Sequence, residues 1–285
     1  MTRTELRAEF MAHVFRVCPA PLPQEPPVLV EAARDSFHED PDTARIVASM
    51  GGYRPPDSCV GSIAYGNGVV AQVHRLGFFD AVMRSAAILE LANAAIPQDL
   101  YRRRTINDIA GTRVCSNGTV YDTSTKFGLS FYVQIEDVVV AYALANQQVV
   151  SADGVSFSKT DAVYASLLCV DARFQRTVHH LGPVLSALVA CAAEAHGHRH
   201  YFAATSAHEQ NAGVRHYYER NGLRPLGEPS GHPPMLRYTA DTRVLMERRL
   251  ANLARTLEAP AVQSVAGIVA AINPRFGERA LLSRC

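Results

Sequence analysis

The chain has 285 residues, room for about two units at ~150 residues each, or for one domain with extensions. Its 48% hydrophobic and 19% charged residues are those of a packed globular chain and exclude wholesale disorder or fibrous order. With 28 basic against 27 acidic residues the net charge is +1, so nucleic acid and anionic membranes are poor partners.

Arginine dominates the basic side: Lys126 and Lys159 are the only lysines, and neither lies in a glycine-rich motif. Lysine-based Schiff-base or P-loop chemistry therefore has little support, and arginine would supply any fixed contact to phosphate. Cys18, Cys59, Cys115, Cys169, Cys191 and Cys285 are scattered without a CxxC pair, which reads as reduced thiols in a cytoplasmic protein. The opening MTRTELRAEFMAHVFRVC predicts an amphipathic helix rather than an export signal, and a proline-rich connector (19–27) follows. A short helix is expected over 40–50. Residues 53–77 fit no element, and a stronger helix runs from Phe78 to about Ala95, stopped by Pro97.

From residue 113 the period changes. Alternation over 129–135, a turn at Glu136-Asp137 and the apolar runs 138–145 and 162–170 predict strands, the last two buried on both faces. Residues 146–160 and 171–179 read as polar loops. A helix is expected from about Leu181 to Ala195, a strand over 200–206, a helix from Ala212 to Arg220, and short strands near 223–227 and 235–239. Val244, Leu245, Leu250, Leu253 and Leu257 place a packing or dimerisation helix over 241–257, which makes a homodimer one expectation. The apolar stretch 259–272 is too short to span a bilayer.

Two segments within 162–222 carry chemistry. The first is the loop with Gln175, Arg176, His179 and His180, followed by Leu181, Gly182 and Pro183. A helix start of this kind offers free N–H groups and partial positive charge to an anion such as a pyrophosphate. The second is a helix beginning at Asn211, carrying Tyr218 two turns later on the same face and ending at Asn221-Gly222, which suits a left-handed C-cap.

Together these segments resemble the core of the GNAT superfamily of acyl-CoA-dependent N-acetyltransferases. Asn211, Val214, Tyr218, Gly222 and Leu223 stand at the spacing of its Asn-x-x-Ala-x-x-x-Tyr-x-x-x-Gly-Phe helix, and 180–197 matches its preceding helix. The match covers about 100 residues, 138–239. It departs in the phosphate loop, where Gln175 and Gly182 enclose a stretch about two residues longer with one glycine fewer. The resemblance implies an α/β (α+β) fold: a mixed, mostly antiparallel sheet flanked by helices. A helical N-terminal region (1–110) would wall the acceptor pocket, 111–240 would be the catalytic core, and 241–285 a helical extension.

It further implies transfer of an acetyl or other acyl group from acetyl-CoA or another acyl-CoA to an amine of a small molecule or peptide, in a ternary complex. Leu168, Cys169, Val170, Gln175, Arg176, His180, Leu181, Gly182 and Asn211 would hold the donor, with His179 a further side-chain contact. A backbone N–H near Val170 would polarise the thioester. Tyr218 would protonate the departing thiolate, and Glu136 or Asp137 would be the candidate base, while Tyr217 would face elsewhere. Asp171 reads as structural. The longer loop leaves open a longer acyl-CoA, an acyl carrier protein as donor, and a binding scaffold without turnover. His196, His198 and His200 are expected to be solvated, with no metal, and Cys169 to be a small buried hydrophobe.

Overall fold

A computed structural model describes residues 59–76, 87–88, 90–91, 129–147, 150–152, 155–157, 161–207, 209–230 and 234–276. The expected N-terminal helix, the proline-rich connector, the 40–50 helix and most of the 78–95 helix lie outside them. So does nearly all of the pocket wall assigned to 1–110. Residues 87–88 and 90–91 are helical. The chain divides into two compact units, residues 1–58 with 75–128 and residues 59–74 with 129–285, and the site belongs to the second.

Ten strands are present among the described residues: β1 (Cys59–Ala64), β2 (Val70–Arg75), β3 (Phe131–Ile135), β4 (Val138–Gln147), β5 (Val150–Ala152), β6 (Val155–Phe157), β7 (Ala162–Val170), β8 (His200–Ser206), β9 (Arg224–Ser230) and β10 (Met235–Asp241). Four full helices accompany them: α1 (Leu181–Ala195), α2 (Ala212–Arg220), α3 (Thr242–Thr256) and α4 (Ala259–Ile272). Eight strands form one sheet in the order β1-β2-β3-β4-β7-β8-β10-β9, and β5 pairs with β6 in a separate ribbon. Of the six pairings in the large sheet whose register is described, all are antiparallel except β7 with β8. Parallel neighbours need a crossover, and α1 supplies it.

The expected mixed sheet is therefore present, with two corrections. Residues 53–77, left without an element, contain the β1–β2 hairpin, and these strands form an edge of the central sheet rather than part of a separate N-terminal region. Its turn, Tyr65-Gly66-Asn67-Gly68, is good hairpin chemistry between two short apolar runs. The supposed polar loop 146–160 contains the end of β4 and the small β5–β6 ribbon.

α1 is buried on every side, including all residues from Ser186 to Ala193. That suits its unbroken apolar sequence. It packs against β3, β4 and β7 of the sheet and against α3 and α4, and α4 itself lies on β1. The 241–276 segment thus completes the core layer. In α3, Leu245, Met246, Arg249, Leu250 and Leu253 are buried, whereas Val244, expected on the packing face, is 61% exposed. Asp241 caps this helix, its carboxylate accepting from the Val244 N–H at 2.9 Å. No helix among the described residues is long and apolar enough to cross a membrane.

β1 meets α4 at close quarters at Gly61, whose φ is 152°. A Cβ there would lie 2.7 Å from Ile268 Cγ1. Gly61→Ala should lower the unfolding free energy by about 1–3 kcal/mol, read from chemical denaturation. A change within about 0.5 kcal/mol would mean that Ile268 yields freely.

Candidate active site

β7 keeps its antiparallel pairing with β4 from Val163 to Val170, but its parallel pairing with β8 ends at Ala165, opposite Ala203. At the same level the register with β4 slips: Leu144 faces Leu167 and Ala145 faces Ala165, so Ser166 is an extra, bulged residue. A bulge raises local twist and turns a strand away from a neighbour. Beyond it, β8 pairs with β10 and β7 with β4, so the two strands part. The resulting cleft, open to solvent, is lined by residues including Leu144, Leu167, Leu168, Tyr201, Tyr217, Tyr218 and Arg249.

Tyr218 owes its position to the end of α2. With Asn221 as C-cap, Gly222 takes φ 90°, its N–H donates to Glu219 O, and Leu223 N–H donates to Tyr218 O, both at 3.0 Å. This is a Schellman motif, in which the tyrosine is the C3 residue and the buried Leu223 is the apolar residue that follows the glycine. The Tyr-x-x-x-Gly-Leu spacing is thus a helix-stop signal that also sets the ring. Tyr218 packs edge-on against Tyr238, with ring centroids 5.2 Å apart. Burial pushes its phenol well above the ordinary tyrosine range, nearby Tyr201 and Tyr164 add to this, and Arg249 opposes it. Tyr217, expected on another face, also borders the cleft. Asn211, the N-cap of α2, spends no side-chain hydrogen bond on its helix.

The loop between β7 and α1 compensates for its missing glycine with left-handed side-chain-bearing residues. Arg176 has φ 56° and His180, the N-cap of α1, has φ 46°. Among the described residues, the N–H groups of Arg176, Thr177, Val178, His179, Leu181 and Gly182 make no hydrogen bond. Such a run of unused donors at a helix start is suited to an anion. A Cβ on Gly182 would sit 3.6 Å from Val170 Cγ2, an ordinary contact, so the fold itself does not demand glycine there.

Three loop residues serve as braces. Gln175 Nε2 donates to Val170 O at 2.8 Å, closing the strand end. Asp171 accepts from Arg173 N–H and pairs with its guanidinium, which holds the carboxyl below its usual range. His179, expected to face a phosphate, is instead buried, because both ring nitrogens are occupied. Asn67 Oδ1 accepts from Val69 N–H, which orients its Nδ2 toward His179 Nε2 at 3.2 Å. Thr177 Oγ1 donates to Phe174 O, so His179 Nδ1–H donates to Thr177 Oγ1 at 3.0 Å. The imidazole is therefore the neutral Nδ1–H tautomer. Tyr65 O–H donates to His179 O at 2.7 Å, tying the loop to the β1–β2 turn.

Solved structures similar to this chain include GNAT-family acetyltransferases. The ribosomal-protein-S18-alanine N-acetyltransferase of Escherichia coli shares 14% identity over 60% of this chain and 94% of its own, with a TM-score of 0.41. The PaiA N-acetyltransferase of Thermoplasma acidophilum, solved with coenzyme A, shares 12% over 60% of this chain and 98% of its own, at 0.40. A GNAT-family acetyltransferase of Bacillus cereus shares 13% over 60% of this chain and 96% of its own, at 0.38. No protein-family model and no curated protein matches the chain.

The remaining sequence candidates fall away from the cleft or change role. Glu136 and Asp137 form the exposed two-residue turn of the β3–β4 hairpin, both with positive φ. From Val138 to the cleft residue Leu144 is six residues, or about 20 Å of strand, so the geometry does not bring Glu136 to Tyr218. Cys169 is 2% exposed and its thiol, despite a hydrogen bond with Tyr142, is pushed up to about 11 by burial, which leaves it protonated. Leu168, in contrast, is 40% exposed on the parted edge. His198 is buried rather than solvated. No cluster of three His, Cys, Asp or Glu among the described residues could hold a metal ion.

The feature that sequence reasoning missed is Arg249. It is 4% exposed, donates from Nη1 to Ser186 O at 2.7 Å and lies 4.9 Å from the Tyr201 ring centroid. Its Nε has no partner. An Arg among leucines at helical spacing was the available signal, but nothing local says that its face of α3 is inward.

Burial, with a lesser contribution from the His180 charge, lowers the proton affinity of His179. An imidazole kept neutral in the fold stabilises fully above its unfolded value, about 6.5, and less as pH falls below that toward its folded value. The wild type should therefore lose more thermal stability than His179→Phe between pH 7 and pH 5, measured by melting in matched buffers. Parallel curves would remove His179 as the titrating brace.

Proposed function

We propose that this chain transfers an acyl group from coenzyme A to an amine. The supporting observation is a coincidence along one strand: a bulge, the loss of a parallel partner and, just beyond the strand end, a row of unused N–H groups. In this reading the N–H groups of 176–179, 181 and 182 hold the pyrophosphate, with Arg176 and His180 at hand as side chains. The pantetheine amides lie along the unpartnered edge of Leu168, Cys169 and Val170, and the apolar face of Leu168 covers the arm. The main-chain N–H groups freed at the bulge, near 166–168, receive the thioester carbonyl. This is one turn of pleat further into the sheet than the Val170 N–H expected from the sequence. Gln175, engaged with Val170 O, shapes the loop, and Asn211, whose side chain does not cap α2, is a further donor contact in this reading.

Within the cleft, the bound donor supplies an activated carbonyl. The amine nitrogen forms its bond to that carbon, the carbon–sulfur bond breaks, and the sulfur takes the Tyr218 phenol proton. The phenolate then recovers a proton from solvent. A phenol with raised proton affinity is a poor acid toward a thiol in water. A departing thiolate partly shielded from water is itself destabilised, which favours its taking the proton. Among the described residues lining the cleft there is no carboxylate and no imidazole. The amine accordingly arrives uncharged, and its surplus proton leaves through water.

Bare coenzyme A should raise the melting temperature, and absence of any shift sinks the proposal. Tyr218→Phe should lower turnover by about 10²-fold or more while leaving coenzyme A affinity nearly unchanged. Equal loss of both would assign the ring to binding. Gly182→Ala should weaken coenzyme A binding by roughly tenfold, about 1.4 kcal/mol, at unchanged unliganded stability, because the added methyl fits the empty protein but stands where the anion approaches.

A further inference from the structure

Arg249 is a buried cation without an anion. Among the described residues no carboxylate pairs with it, its Nε is unpartnered, and the groups it does touch, one carbonyl oxygen and one tyrosine face, carry no formal charge. It nonetheless lines the cleft, whose other walls are mostly apolar (Ala143, Leu144, Ala165, Leu167, Val189 and Ala203 among them) with three tyrosines and Ser186. A guanidinium keeps its charge at physiological pH, and removing it from water without a partner is costly. The cation–π contact with Tyr201 and the bond to Ser186 O hold the group in place and meet only part of its donor capacity. The remaining donors form a planar fork whose natural complement is a carboxylate, and the apolar surroundings strengthen such a pair.

We propose that the cleft takes a carboxylate-bearing substrate, whose carboxylate is held by Arg249. This rests on the acyl-transfer reading and deepens it. The shared chemistry has two sources: a donor whose acyl group ends in a second carboxylate, or an amine acceptor that carries its own carboxylate, such as an amino acid. In either case Arg249 orients the substrate end remote from the reacting carbon, while Tyr218 on the opposite helix serves the sulfur. The carboxylates raised by the sequence do not neutralise it: Glu136 and Asp137 lie at the β3–β4 hairpin turn, and Asp171 pairs with Arg173.

The experiment compares wild-type protein in three arms. Bare coenzyme A binding, by thermal shift, reports on the acyl-transfer reading alone. Acetyl-CoA against succinyl-CoA and glutaryl-CoA, by thiol release, tests the donor. L-amino acids against the same amino acids as amides test the acceptor. A preference of about ten- to a hundredfold for the carboxylate form in one of the last two arms is expected. Arg249→Met, similar in length but neutral, should abolish that preference, and Arg249→Lys should keep part of it. If coenzyme A binds yet neither arm discriminates, the carboxylate site is overturned and the acyl-transfer reading stands. A preference that survives Arg249→Met in folded protein overturns the assignment to Arg249. Failure of coenzyme A to bind overturns both, and since the donor and acceptor arms need no variant, a misfolded Arg249→Met leaves the test intact.

Discussion

Everything in the site depends on two parallel strands that stop pairing. β7 and β8 are paired only from Ala162 to Ala165, and at the extra residue Ser166 β7 leaves β8 while staying paired with β4 as far as Val170. A sheet tolerates such a break only where other layers cover the exposed main chain, since unpaired backbone groups away from water are costly. Here α1, buried on every face, closes one side, and α3 and α4 pack against it. The slit that results is apolar in its walls and polar in its unused backbone.

The loop that follows β7 is shaped by the same constraint. Asp171 N–H donates to Val140 O at 2.8 Å and ends the pairing of β7 with β4, and the chain turns before α1 begins. Arg176 and His180 accept left-handed backbone to make that turn. For residues with a Cβ such geometry persists only when the surroundings over-determine it. The surroundings are the neutral His179, gripped from the β1–β2 turn by Asn67 and Tyr65, so the hairpin at one end of the sheet sets the donors at the start of α1.

Electrostatically the slit holds one phenol that clings to its proton and one cation without a partner. Low polarity makes both properties sharper: it raises the phenol and would make any anion near Arg249 tightly held. Both groups, Tyr218 from α2 and Arg249 from α3, border the same gap.

Much of this was legible along the chain. The apolar runs of β4, β7 and α1 announced their elements because burial on both faces leaves an unbroken pattern, and the Tyr218-to-Leu223 spacing announced the end of α2 because a helix stop is a local hydrogen-bonding event. The β1–β2 hairpin was equally local, in its Asn-Gly turn, but its strands are short and rich in small residues. What the tertiary structure alone decided are contacts between distant segments: Asn67 with His179, 112 residues apart, and Arg249 with Ser186, 63 apart. No periodicity encodes which face of α3 meets α1, or how far β7 stays beside β8. Those are settled when layers pack, and that is why the sequence could name the tyrosine but not the arginine that shares its cleft.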